Sequence, residues 1–84
     1  MRYSRNSKPY RDLAMWLKSC RIKQEITIRD LALKLEVHHS IVGKVETGAR
    51  KLDALELVEY CLALNVSPEE AVGLIVKSIT KPLD

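Results

Sequence analysis

The sequence has few cysteines and no long apolar run, and each shortage excludes a class of protein. Its two cysteines, Cys20 and Cys61, lie far apart, with no second pair of ligands near either. A zinc site needs about four ligands, usually in closely spaced pairs. We therefore expect two reduced thiols on core-facing helical positions and no metal. No apolar stretch approaches the roughly 20 residues of a membrane span, so no contact with a membrane is expected.

Signals for secretion and for catalysis are also missing. The first ten residues, MRYSRNSKPY, are basic and lack the apolar stretch of a secretory signal. Because reduced cysteines are typical of the cytosol, a cytoplasmic protein is expected. No nucleophile–base pair, carboxylate dyad or glycine-rich phosphate loop is visible, so we expect neither an enzyme nor a cofactor. The adjacent His38 and His39 would diverge on a helix, which argues against a metal site there.

The composition is that of a small globular protein, and its charge is unevenly distributed along the chain. With 84 residues, 46% of them hydrophobic and 30% charged, the chain suits one domain with a modest core. The first 51 residues contain 12 Lys and Arg against 5 Asp and Glu, whereas the other 33 contain 2 against 6. A basic half is expected of a protein whose partner has a phosphate backbone.

Apolar residues at helical spacing predict five helices and no strand, an all-α fold. We expect a basic, flexible arm over residues 1–8 and one domain over residues 9–84. The helices should run from about Tyr10 to Lys23, from the N-cap Thr27 to about Leu35, from His39 to Glu46, from the N-cap Asp53 to about Leu64, and from Ser67 to about Thr80. The predicted core contains Leu13, Trp16, Leu17, Leu31, Leu35, Val37, Val42, Val45, Leu57, Leu64 and Leu74.

Local signals mark several helix ends. Thr27 is a good N-cap, with Asp30 three residues later as a reciprocal partner. Gly48 is free to adopt the left-handed conformation that ends a helix. The run Ser67-Pro68-Glu69-Glu70 has the form of a capping box, with proline in the first turn.

Residues 27–46, TIRDLALKLEVHHSIVGKVE, predict two short helices joined by a tight turn. The later of the two, the third helix of the chain, carries His39, Ser40 and Lys44 on its expected outer face. A short helix that presents such groups fits the major groove of DNA.

The run from Leu17 to Asp53 resembles the Cro/repressor-like helix-turn-helix family, often called the XRE family. The matching positions are Leu17, Arg21, Ile26, Thr27, Leu31, Ala32, Leu35, Val37, Ser40, Val42, Val45, Glu46, Gly48 and Arg50, followed by Leu57, Leu64, Val66 and Ser67. The resemblance implies a compact bundle of five helices that binds DNA, usually as a two-fold dimer. It also implies an ion pair between Arg21 and Glu46 that ties the first helix to the end of the third.

The resemblance further assigns the contacts to DNA. The base-reading positions are His39, Ser40 and Lys44, and Ile41 is placed to touch a thymine methyl group. Apart from the resemblance, we expect contacts to the phosphate backbone from Thr27, Arg29, His38, Gly43, Arg50 and Lys51, together with Arg2 and Arg5 of the basic arm. For His38, a role as the cap of the third helix remains open beside the phosphate contact.

Three positions depart from the family's pattern. Ile28 stands where many members have glutamine, and it cannot form a hydrogen bond. Glu36 stands where the turn usually has glycine. Gly43 lies inside the third helix, where glycine is unfavourable but allows close approach of the backbone to a duplex.

The fifth helix has a core stripe in Ala71, Leu74 and Ile75 and a second, heptad-like apolar row. The second row contains Val72, Val76, Ile79 and Leu83, and Leu55, Val58 and Leu62 of the fourth helix are placed to add to it. An exposed apolar row usually marks an interface, so these residues are candidates for a dimer contact. The alternative is that the core wraps around the fifth helix and buries both rows.

Together these features predict a sequence-specific regulator of transcription that binds double-stranded DNA, most simply as a homodimer. The alternative is a protein-interaction module on the same fold, such as an antitoxin-like partner or an adaptor. The polar, lysine-bearing third helix favours the regulator. Ile28, Glu36 and the acidic, apolar C-terminal half favour the interaction module and a protein partner.

Overall fold

The computed structural model describes residues 3 and 7–80, and within these residues the chain forms five α-helices and no strand. The helices are α1 (Lys8–Lys23), α2 (Ile28–Leu35), α3 (His39–Glu46), α4 (Ala54–Ala63) and α5 (Pro68–Ile79). The predicted all-α fold of five helices is confirmed. None of the described helices has the length and apolar character needed to cross a membrane.

Side-chain caps begin four of the helices. Thr27 Oγ1 accepts the Asp30 N–H at 3.0 Å, as the sequence predicted. The expected capping box at Ser67 is wrong, because Ser67 Oγ accepts the Glu69 N–H instead, at 3.2 Å. A complete capping box begins α4, where Asp53 accepts the Glu56 N–H at 2.8 Å and the Glu56 carboxylate accepts the Asp53 N–H at 3.0 Å.

The first four helices all end in the same way, with one residue in the left-handed conformation. These residues are Glu25 (φ 56°), Glu36 (φ 56°), Gly48 (φ 79°) and Asn65 (φ 58°). In each case the N–H of the next residue reaches back five positions to a helical carbonyl, for example from Val37 to Ala32 O at 3.0 Å. This is the Schellman motif, which satisfies carbonyls that a helix end would otherwise leave unpaired. Only at Gly48 did the sequence contain the usual glycine.

The core lies where α1, α3, α4 and α5 meet, with α2 packed on α3 and α4. Its buried residues are Leu13, Ala14, Leu17, Leu31, Ala32, Val42, Val45, Leu57, Tyr60, Cys61, Leu64 and Ala71. Cys20 and Cys61 are free thiols, half-buried and buried respectively. Burial raises the pKa of Cys61 to about 11, so this thiol stays protonated at neutral pH.

Two residues of the predicted core lie nearer the surface. Val37 is 40% exposed, because it follows the left-handed Glu36 and sits in the turn between α2 and α3. Leu74 is only half-buried on α5. Trp16 and Leu35 are partly buried and pack against the core.

Polar contacts join the ends of α1 to its neighbours. Asp12 accepts hydrogen bonds from Lys8 Nζ at 2.7 Å and, across to α5, from Ser78 Oγ at 3.1 Å. At the other end of α1, the Gln24 side-chain amide donates to the Leu64 carbonyl. The bonds with Ser78 and Leu64 therefore link α1 to α5 and to the end of α4.

Glycine in place of Glu36 should stabilise the protein. A non-glycine residue in the left-handed conformation costs roughly 1–2 kcal/mol, and the greater freedom of glycine in the unfolded chain offsets part of that gain. We therefore expect Glu36→Gly to raise the free energy of unfolding by about 0.5–1 kcal/mol in urea denaturation. Gly48→Ala, the matched control, should lower it by a similar amount. A loss of stability in Glu36→Gly would contradict this account of the turn.

Candidate nucleic-acid interface

The two helices α2 and α3, with the turn at residues 36–38, form one structural unit that leaves one face of α3 open. Val42 and Val45 point into the core and are buried. His39, Ser40 and Lys44 are exposed on the opposite face. The helical period of 3.6 residues produces this division, because apolar side chains recur on one side of α3 and polar ones on the other.

A bidentate ion pair anchors the end of α3. Arg21 Nε donates to Glu46 Oε2 at 2.6 Å, and Arg21 Nη2 donates to Glu46 Oε1 at 3.0 Å. The two side chains are only 12% and 4% exposed. A third donor, Arg21 Nη1, reaches the Ile26 carbonyl at 2.9 Å. The hydrogen bond to Glu46 raises the pKa of Arg21, so the guanidinium stays charged while it joins α1 to α3.

His38 caps the start of α3. Its Nδ1 accepts the Ser40 backbone N–H at 3.1 Å and lies 2.9 Å from Ser40 Oγ. Because Nδ1 acts as the acceptor, the proton of neutral His38 belongs on Nε2. Of the two roles open to His38 on sequence grounds, the structure places it as the helix cap.

His39 packs against this cap. The ring centroids of His38 and His39 are 4.3 Å apart. Desolvation, and then the electrostatic effects of His38 and Arg29, lower the pKa of His39 below its usual value. The lowered pKa favours the neutral form of His39, in which the imidazole presents one donor and one acceptor nitrogen, as a contact to a base edge requires.

The cations of the loop after α3 are engaged within the protein. Arg50 Nη2 donates to Glu56 Oε2 at 3.0 Å. The Lys51 ammonium lies 5.3 Å from the centroid of the Tyr10 ring, in cation–π geometry. Both residues were assigned to phosphate contacts, and both remain close to α3 in the chain. Lys51 is exposed and Arg50 is half-buried, so both keep N–H groups open to solvent beside these contacts.

The other predicted residues are divided between this face and its surroundings. Arg29 is exposed near His39, whereas the Thr27 hydroxyl is occupied as the cap of α2. Ile41 and Gly43 are half-buried on α3. Arg2 and Arg5 lie outside the described residues.

Sequence reasoning missed Thr47, which extends the exposed face by one turn. Its hydroxyl donates to the Lys44 carbonyl at 3.2 Å, and its side chain is exposed. Thr47 lies seven positions after Ser40, so the helical period itself contained the signal. Ile28, where the family often has glutamine, is partly buried and packs against the core. No cluster of three metal-ligating side chains occurs among the described residues.

Residues 17–70 match the family model described as Helix-turn-helix. The chain belongs to the helix-turn-helix family. In this chain α2 and α3 are the first and second helices of the helix-turn-helix motif.

Among the solved structures similar to this fold, two regulators illustrate the likeness. One is the clp gene regulator ClgR from C. glutamicum, with 22% identity and a TM-score of 0.76, covering 92% of this chain and 100% of that one. The other is a mutant of the restriction-modification controller protein C.Esp1396I, with 24% identity and a TM-score of 0.74, covering 89% of this chain and 95% of that one. At these identities the likeness establishes the fold. No curated protein matches the sequence significantly.

Removal of one partner of the anchoring pair should destabilise this helix-turn-helix domain strongly. In Arg21→Ala, Glu46 would keep a buried carboxylate without its guanidinium, which costs about 3–5 kcal/mol. Urea denaturation should therefore show a loss of roughly 3 kcal/mol. The control is Lys8→Ala, which breaks the exposed pair with Asp12 and should change stability by less than about 0.5 kcal/mol. Similar small losses in both variants would show that the buried pair is not an anchor.

Proposed function

We propose that this protein is a sequence-specific transcriptional regulator that binds double-stranded DNA as a homodimer, with α3 in the major groove. The observation that carries the proposal is the polar, exposed face of α3, held at its end by the buried Arg21–Glu46 pair. A rigid helix with hydrogen-bonding groups on its outer side is what direct reading of base edges requires. Membership of the helix-turn-helix family supports the same conclusion.

Each exposed group on α3 has a suitable target on a base pair. Lys44 is able to donate to guanine O6 and N7, and Ser40 is able to donate or accept. His39 is able to donate to an acceptor edge. Ile41 is half-buried, so only part of its side chain is available to touch a thymine methyl group.

Groups around this face would hold the phosphate backbone. They are Thr27, Arg29, His38, Arg50 and Lys51, with Arg2 and Arg5 of the N-terminal arm. Arg50 uses one of its five N–H groups on Glu56, so the others remain for a phosphate oxygen. Such contacts position the protein on the duplex without selecting a sequence.

The apolar surface on α4 and α5 supports assembly into a dimer. On α5, Val72 and Val76 are 50% and 51% exposed, and Ile79 is also exposed. On α4, Leu55 and Leu62 are 79% and 61% exposed. Large exposed apolar patches are uncommon on monomeric proteins, so each of these rows is a candidate contact. Leu83, the fourth predicted member of the α5 row, lies outside the described residues.

A two-fold pair would also meet the needs of DNA recognition. One α3 reads only a half-site, whereas two copies about 34 Å apart would match successive major grooves on one face of the duplex. We propose a cytoplasmic protein that acts by binding, without catalysis or a cofactor.

The second candidate is an interaction module, antitoxin-like or adaptor-like, whose apolar α4–α5 surface binds another protein. The exposure of Leu55 and Leu62 favours it, since these side chains suit a protein partner as well as a second copy. Selection of bound duplexes from a random pool, followed by salt titration of the winners, separates the candidates. A regulator should yield a shared sequence and an affinity that falls steeply with salt. No enrichment would favour the interaction module.

Lys44→Ala and His39→Ala should weaken the selected duplex much more than random duplex. Each variant removes a contact to a base edge, worth about 1–3 kcal/mol of discrimination. Fluorescence anisotropy on both duplexes measures the difference. In contrast, Arg50→Ala and Lys51→Ala should weaken both duplexes alike and reduce the salt slope. Equal losses on the two duplexes for Lys44→Ala would remove it from the base-reading set.

Val76→Glu should convert a dimer into a folded monomer. The substitution places a charge in the proposed apolar contact but leaves the core intact, because Val76 is half exposed in the single chain. Sedimentation velocity at tens of micromolar should show the change, and circular dichroism should show an unchanged helix content. The control is Lys77→Glu, the next residue on α5, which should remain dimeric. A monomeric wild-type protein, free of DNA, would argue against a preformed dimer.

A further inference from the structure

Gly43 interrupts the exposed face of α3 with a position that has no side chain. His39 lies four residues before it, Ser40 three residues before it and Thr47 four residues after it, so all three share its side of the helix. Lys44 is its neighbour in the chain. The result is a notch in the middle of the outer face, where the helix backbone is the nearest atom to any approaching molecule.

No contact among the described residues explains a glycine at this position. Its backbone is helical, whereas Gly48 has the positive φ that favours glycine. A Cβ added to Gly43 would meet no other atom within 4 Å. In the interior of a helix, glycine is less favourable than any residue except proline. The cost matters here because α3 has only eight residues. The protein therefore keeps an unfavourable residue where alanine would fit.

We propose that the DNA duplex lies directly against the backbone of α3 at Gly43, and that this close approach brings His39, Ser40 and Lys44 within hydrogen-bonding distance of the bases. The inference rests on the proposed function and adds a residue that determines how deeply α3 enters the groove. A Cβ would hold the duplex away by about 1.5 Å. Hydrogen bonds tolerate far less displacement, since their donor–acceptor distances span roughly 2.7–3.2 Å.

The groups around the notch identify the occupant as nucleic acid. They are an imidazole, two hydroxyls and an ammonium, and none of the exposed side chains from His39 to Thr47 is acidic or apolar. Arg29 adds a second cation close to His39. A protein partner or a second copy would suit the apolar rows of α4 and α5 instead, where exposed leucines and valines lie.

The test compares stability with DNA affinity in Gly43→Ala. The variant should be more stable, with a melting temperature raised by about 4 °C, and yet bind the selected duplex roughly ten-fold more weakly or worse. Gly43→Leu, with a larger side chain and good helix propensity, should bind more weakly still. The matched control is Gly73→Ala on α5, which also has open space around its Cβ. Measured on a duplex with one half-site, the control should gain stability without a change in affinity.

The possible results separate this inference from the function on which it rests. If the wild-type protein binds no duplex, the proposed function fails, and the inference fails with it. If the wild type binds and Gly43→Ala binds equally well or better, the inference alone is overturned. A loss of stability in Gly43→Ala would also overturn it, because the glycine would then serve the fold. Greater stability together with weaker binding, graded with side-chain size, is the result that supports it.

Discussion

The buried pair between Arg21 and Glu46 is the interaction on which the position of α3 depends. An isolated helix of eight residues is unstable in water, so α3 exists only because tertiary contacts hold it. Val42 and Val45 supply the apolar part of these contacts, but apolar packing alone allows a helix to rotate or slide. Two parallel hydrogen bonds between planar groups permit much less freedom. The third bond, from Arg21 to the Ile26 carbonyl, extends the constraint to the turn before α2.

The helix ends show how the chain accepts local strain to keep its turns short. Four helices end in the left-handed conformation, and glutamate occupies it twice. At Glu36 this geometry lets the N–H of Val37 return to the Ala32 carbonyl, which closes α2 and directs the chain into α3. The backbone angle is thus imposed by the need to pair helical carbonyls across a three-residue turn. Glutamate tolerates the position because its side chain is exposed there.

How much the sequence could predict depends on the range of each interaction. The helices, the Thr27 cap and the end at Gly48 follow from neighbouring residues, and all were predicted. The pairing of Arg50 with Glu56 and the contact of Lys51 with Tyr10 were not predicted. The sequence shows that a cation is present, but it does not show whether the fold brings a partner within the protein close to it. Val37 was placed in the core for its apolar side chain alone, and only the course of the turn shows that it lies at the surface.

The exposed face of α3 is polar, whereas the exposed side chains of α4 and α5 are largely apolar. The small size of the domain explains why both surfaces remain open. A chain of 84 residues buries only a limited share of its surface, so α5 supplies one apolar stripe to the core and keeps Val72 and Val76 outside. On α3 the exposed side chains are polar, and they gain little from contact with another apolar surface. A partner that covered the α4–α5 surface would therefore leave α3 free. The polar side chains of α3 and the apolar side chains of α4 and α5 lie on different helices. One small core would therefore support a separate contact at each surface.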